Sequence, residues 1–149
     1  MLEIFMFVAK ESAKFEAKRR QIGIQKMELI SMGKNHLNLA IESGSEFDET
    51  KALLELGNIY AYTGEYDLAL TYFLQANALA KQTDDKDIRF LILANLGTLK
   101  KVKLEFDEAE KYYLQAFSLA QEIKSEKFFG EISILMDDLE YMRNMDKLG

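Results

Sequence analysis

Residues 66–80 read YDLALTYFLQANALA, and forty residues later the chain reads FDEAEKYYLQAFSLA at 106–120. Between 52–82 and 92–122 the two segments align without a gap, and 12 of 31 pairs are identical, among them Leu53 with Leu93, Leu56–Gly57 with Leu96–Gly97, and Ala69, Ala76 and Ala80 with Ala109, Ala116 and Ala120. No feature constrains the fold more. A segment rewritten at a fixed period of roughly 20–50 residues is one supersecondary unit that cannot bury its apolar face alone, so successive copies stack, and a position that meets a neighbour keeps its residue size in each copy.

The unit is helical. The chain has no proline, and its apolar residues recur at three and four over stretches of 15 to 20 residues separated by turn-like breaks, with no strand-like alternation. Seven helices are predicted, over 2–21, 24–43, 48–62, 66–82, 86–103, 106–124 and 127–145, with turns at Gly23, around Gly44 and Ser45, at Thr63 and Gly64, around Thr83 to Asp85, and near Leu104 and Ser125. Along the last stretch Ile132, Leu135, Met136, Leu139 and Met142 share one face while Ser133, Asp137, Asp138, Glu140 and Arg143 point away, the pattern of a helix that caps a stack. Gly57, Gly97, Ala69, Ala76, Ala109 and Ala116 mark close helix approaches, and Tyr60, Phe73 and Tyr113 fill the space beside them.

Composition narrows the function classes. The 149 residues carry a net charge of −6, no Cys and a single His, His36, which leaves no thiolate metal site and no histidine cluster; neither metal nor cofactor is expected. The negative charge argues against nucleic acid as a partner, although residues 10–26 hold Lys10, Lys14, Lys18, Arg19, Arg20 and Lys26 against only Glu11 and Glu16. The apolar start MLEIFMFVAK is too short to span a bilayer and lacks the basic opening of a signal peptide, so no membrane role and a cytoplasmic location are expected. No G-x-S-x-G, phosphate loop or H-E-x-x-H motif occurs, and the carboxylates are spread over solvent faces without a singled-out pair, so no enzyme is expected.

The residues Leu53-x2-Leu56-Gly57-x2-Tyr60, then Ala69-x3-Phe73 and Ala76, resemble the tetratricopeptide repeat, and Leu93, Leu96, Gly97, Ala109, Tyr113 and Ala116 repeat the pattern with Lys100 in place of the Tyr. Leu replaces the family's Trp in both copies and its closing Pro is missing. The 40-residue period looks like the longer-helix variant of peptide-sensing bacterial regulators and spindle-orientation adaptors, which also favours the LGN-plus-aromatic pattern seen from Leu56 to Tyr60. The resemblance implies an all-α, right-handed superhelical solenoid of antiparallel helix pairs in one domain: a degenerate repeat over 1–46, in which Leu29, Gly33 and His36 replace the set Ala69, Phe73 and Ala76, repeats over 47–85 and 86–125, and a capping helix over 126–149.

In that family the first helices of the repeats line a groove for a peptide or a partner's helix. The implied groove residues are Lys51, Leu54, Asn58, Tyr62, Leu91, Asn95, Thr98 and Lys101, with the asparagine amides suited to pairing with an extended backbone, and exposed polar side chains are expected there. A subgroup grips chaperone tails with Lys and Asn; the corresponding positions are Leu54, Asn58, Asn95, Glu131 and Leu135, which lack the three basic residues, so that ligand is rejected. The function implied is a protein- or peptide-binding adaptor; the alternatives are a small acidic secretion-type chaperone or the sensor fragment of a peptide-responsive bacterial regulator. Residues 2–9 surround their predicted helix with apolar side chains, and either a homodimer through Leu2, Phe5, Met6 and Phe7 or insertion of the segment into a neighbouring groove is expected.

Overall fold

The computed structural model describes residues 25–149, which form six helices and no strand: α1 Gln25–Ser43, α2 Glu46–Tyr62, α3 Tyr66–Thr83, α4 Lys86–Val102, α5 Phe106–Ile123 and α6 Glu126–Leu148. Six of the seven expected helices are thus present within a residue or three of their predicted bounds. The seventh, over 2–21, and the dimer residues Leu2, Phe5, Met6 and Phe7 lie outside the described residues. Contacts group the chain into two units that divide between Asp84 and Asp85.

The forty-residue period is written into the turns as well as the helices. Ser45, Asp85 and Ser125 cap α2, α4 and α6, each side chain accepting from the amide three residues on, at 3.2 Å from Asp48, Ile88 and Phe128. The residue before each cap is left-handed: Gly44 at φ 73°, Asp84 at 53° and Lys124 at 58°. The turns inside the two hairpins also match, with Glu65 N–H donating to Tyr60 C=O and Glu105 N–H to Lys100 C=O, both at 2.9 Å, around left-handed Gly64 and Leu104.

Leu104 is the misfit of this series. An L side chain in the left-handed region costs about 1–2 kcal/mol, and Leu104 is 58 % exposed, so little burial offsets the cost. Leu104→Gly is expected to stabilise the protein by about 0.5 kcal/mol, after allowance for the greater freedom of glycine in the unfolded chain. Gly64→Leu, which imposes the same strain on the other hairpin, should destabilise by about 1 kcal/mol. Denaturant midpoints of the two variants read both signs.

In the first unit α2 packs against α3 through the predicted small-to-large fit. A Cβ on Gly57 would lie 2.5 Å from the Phe73 ring, and Ala69, Phe73 and Ala76 are fully buried. Tyr60 stacks on Tyr72 with centroids 5.5 Å apart. The contact of α1 with α2 inverts the fit. Gly33 supplies the small surface and Leu56 and Ile59 the large ones, their Cδ1 atoms 2.9 and 2.8 Å from where a Cβ on Gly33 would stand. This is why α1 reads as an eroded copy: its glycine answers the helix that follows it, and no aromatic is needed at that position. His36 is half exposed and meets the Glu55 carboxylate at 3.2 Å across the same contact.

In the second unit α4 and α5 repeat the α2–α3 contact, with Gly97 beneath the ring of Tyr113 and Ala109 and Ala116 buried. The sixth helix packs on α5 and reaches α4. Phe128 stacks on Phe90 at 4.3 Å, and Arg143 donates to Glu110 at 2.8 Å and to the Phe106 carbonyl at 3.1 Å, tying α6 to the first turn of α5.

Candidate functional site

The candidate groove residues lie on the first helix of each hairpin, Lys51, Leu54, Asn58 and Tyr62 on α2 and Leu91, Asn95, Thr98 and Lys101 on α4. The expectation that the polar ones are exposed holds for Lys51 and fails for Asn58, Asn95, Thr98 and Lys101. Lys51 is exposed, with its ammonium 5.4 Å from the centre of the Phe47 ring, and Tyr62 and Leu91 are half buried, but Leu54, Asn58, Asn95, Thr98 and Lys101 are all buried.

For two of them the second unit supplies the physical reason. Thr98 donates back to the Ala94 carbonyl or shares its proton with Tyr113, whose phenol oxygen stands 2.8 Å away. The hydroxyl is therefore consumed inside the hairpin. Burial raises the Tyr113 pKa well above the usual phenol value, an effect that the Thr98 hydrogen bond opposes only in part and the nearby Asp138 charge reinforces. Lys101 lays its stem across to α6 and donates to Asp138 Oδ2 at 2.5 Å; its side chain is 3 % exposed and that of Asp138 32 %.

Asp138 is the residue that sequence reading missed. The forty-residue register carries a usable signal, because it places Asp138 on the equivalent of Thr98 in the next first helix, one of the positions already assigned to the groove. Its pairing with a lysine 37 residues earlier depends on how α6 docks, which the repeat alone does not specify.

Asn95 differs from its neighbours. It is fully buried at 0 % exposure, and neither its amide oxygen nor its amide nitrogen has a hydrogen-bond partner among the described residues. Leaving a buried amide unsatisfied costs on the order of 1–3 kcal/mol, so most buried polar groups are paired and an exception calls for an explanation. Among the described residues no cluster of His, Cys, Asp and Glu could hold a metal ion, and no helix is long and apolar enough to cross a membrane.

Antiparallel helix hairpins with a common register, glycine-to-aromatic seams and identically capped joints define a helical-repeat scaffold. The tetratricopeptide repeat model matches residues 48–123, about half of the chain, and the protein belongs to that family. No curated protein matches the sequence at a significant level. Membership makes the chain a protein–protein interaction scaffold in general terms, of a kind that is typically not catalytic.

Proposed function

We propose that the protein is a non-catalytic, cytoplasmic adaptor that binds an extended or helical segment of a partner protein through the first helices of its hairpins, with the chain acting as a single domain divided at 46, 85 and 125. Lys51, Leu54, Asn58, Tyr62, Leu91, Asn95, Thr98 and Lys101 are its binding residues. The observation that carries this reading is Asn95, an amide with one donor group and one acceptor unused, the complement of a peptide backbone unit. Because Asn95 is covered, binding is coupled to an opening movement that uncovers it. The engagement of Lys101 by Asp138 favours a segment without clustered carboxylates, since the lysine charge on this face is already answered. The chaperone and regulator-fragment alternatives would use the same helices and differ in the partner.

The test separates binding from folding. Asn95→Ala deletes no hydrogen bond, so thermal stability should stay within about 1 kcal/mol of the parent, or rise. Partners captured from the source cell by the parent protein and identified by mass spectrometry should be lost from the Asn95→Ala capture. Retention of the same partners at the same affinity would remove Asn95 from the site. We infer in addition that Leu2, Phe5, Met6 and Phe7 bring two copies of the chain together, because an apolar segment of that length is costly to leave in water.

A further inference from the structure

Among the described residues no helix covers one face of α6, at a place where the two hairpins show what packs there. On α2 Gly57 and Tyr60 meet the following helix, at Phe73 and Tyr72, and on α4 Gly97 meets it at Tyr113. Asp137 and Glu140 are their equivalents on α6 and share a stripe with Gly130 and Ser133. A Cβ on Gly130 would meet nothing within 4 Å, in contrast to Gly57 and Gly97, and no described helix follows α6.

The open stripe runs beside α5 as a groove with a cavity at each end. A cavity of about 320 Å³ lies beside Gln121, Phe129 and Gly130, and one of about 460 Å³ beside Leu114, Met136 and Glu140. Phe129, Leu114 and the half-buried Met136 and Phe117 give it an apolar floor, with the Phe117 and Phe129 rings 5.1 Å apart. Its charges are unevenly spent. Arg143 is taken up by Glu110 and Asp107, whereas Asp137 and Glu140 are exposed and make no ion pair with any described residue; Lys124 and Lys147 stand at the two ends. An occupant needs an apolar stripe to cover the floor and positive charge to meet Asp137 and Glu140.

The sequence contains such a segment. Residues 2–9 are apolar apart from Glu3, and residues 10–20 carry Lys10, Lys14, Lys18, Arg19 and Arg20 against Glu11 and Glu16. We propose that the α5–α6 groove of one molecule receives residues 2–21 of a second copy. The proposal rests on the inference that Leu2, Phe5, Met6 and Phe7 join two copies, and it names the acceptor surface. It is independent of peptide binding by α2 and α4. A reciprocal exchange, each copy filling the groove of the other, closes as a two-fold dimer; a one-way exchange continues head to tail.

Light scattering of the full chain at micromolar concentration should give a mass above the 17.2 kDa of one chain, falling toward it on dilution. The double variant Asp137→Lys/Glu140→Lys should weaken association about tenfold or more, with an unchanged circular dichroism spectrum because both groove charges are exposed, and Lys18→Glu/Arg19→Glu should weaken it as much. Mixing the two variants in equal amounts pairs each segment with a groove of opposite charge and should restore the parent mass. A synthetic peptide of residues 2–21 should compete with the association. A monomer at every concentration would overturn the docking and the dimer, and would leave partner capture through Asn95 untouched. Association that survives Asp137→Lys/Glu140→Lys, or variants that fail to complement on mixing, would overturn this surface while keeping a dimer.

Discussion

Gly97→Ala should lower the stability of the protein by about 2 kcal/mol, although alanine is the better helix former by about 0.5–1 kcal/mol. The added methyl would clash with Cδ1 and Cε1 of the Tyr113 ring. Relief requires the ring to move, and Tyr113 is fully buried with its hydroxyl held against Thr98, so a small shift costs both packing and a hydrogen bond. In a chain of this size the change corresponds to a drop in melting temperature of about 6 °C. Shrinking the partner distinguishes overpacking from a general intolerance of the site: Gly97→Ala/Tyr113→Leu should be less destabilised than the sum of its two single variants. A Gly97→Ala protein that melts at or above the parent temperature would refute the seam between α4 and α5.

Asp138→Ala should cost about 2–3 kcal/mol, whereas Lys101→Met should stay within about 1 kcal/mol of the parent. Removing the carboxylate leaves the Lys101 ammonium buried without an answering charge, which in a fully enclosed pair costs about 3–5 kcal/mol; the partial exposure of Asp138 lets water reach the pair and reduces that figure. Removing the lysine instead leaves a carboxylate that is about one-third exposed and can be hydrated, while the methionine keeps most of the apolar stem in place. Chemical denaturation of the two variants reads the asymmetry directly. Equal losses would mean that the pair is solvated and contributes as a surface ion pair does.

The helices were legible because two independent codes agree on them. Apolar spacing sets the faces, and the repeat sets the frame, so α3 at Tyr66–Thr83 and α5 at Phe106–Ile123 match their predicted spans to within a residue. The last helix runs on to Leu148, beyond the predicted 145, because its final turns follow no apolar rule and no glycine or proline stops them before Gly149. The candidate site was less legible. A repeat pattern says which residues share a face of one helix but not how deeply that face is covered. Thr98 and Lys101 are engaged by Tyr113 and Asp138, contacts that exist only once α5 and α6 have docked. The strain at Leu104 was visible only by analogy, through its alignment with Gly64.

The joint that leads into each of α2, α4 and α6 refers only to itself. A left-handed residue turns the chain, a side-chain oxygen follows, and an amide three positions later completes the connection, whether the residues are Gly44 and Ser45, Asp84 and Asp85, or Lys124 and Ser125. Nothing in that grammar depends on which hairpin comes before or after. A gene built this way can gain or lose a forty-residue cassette between joints without rewriting the joints, so the number of hairpins can change, and the chemistry of the helix faces can diverge while the connections stay in common use.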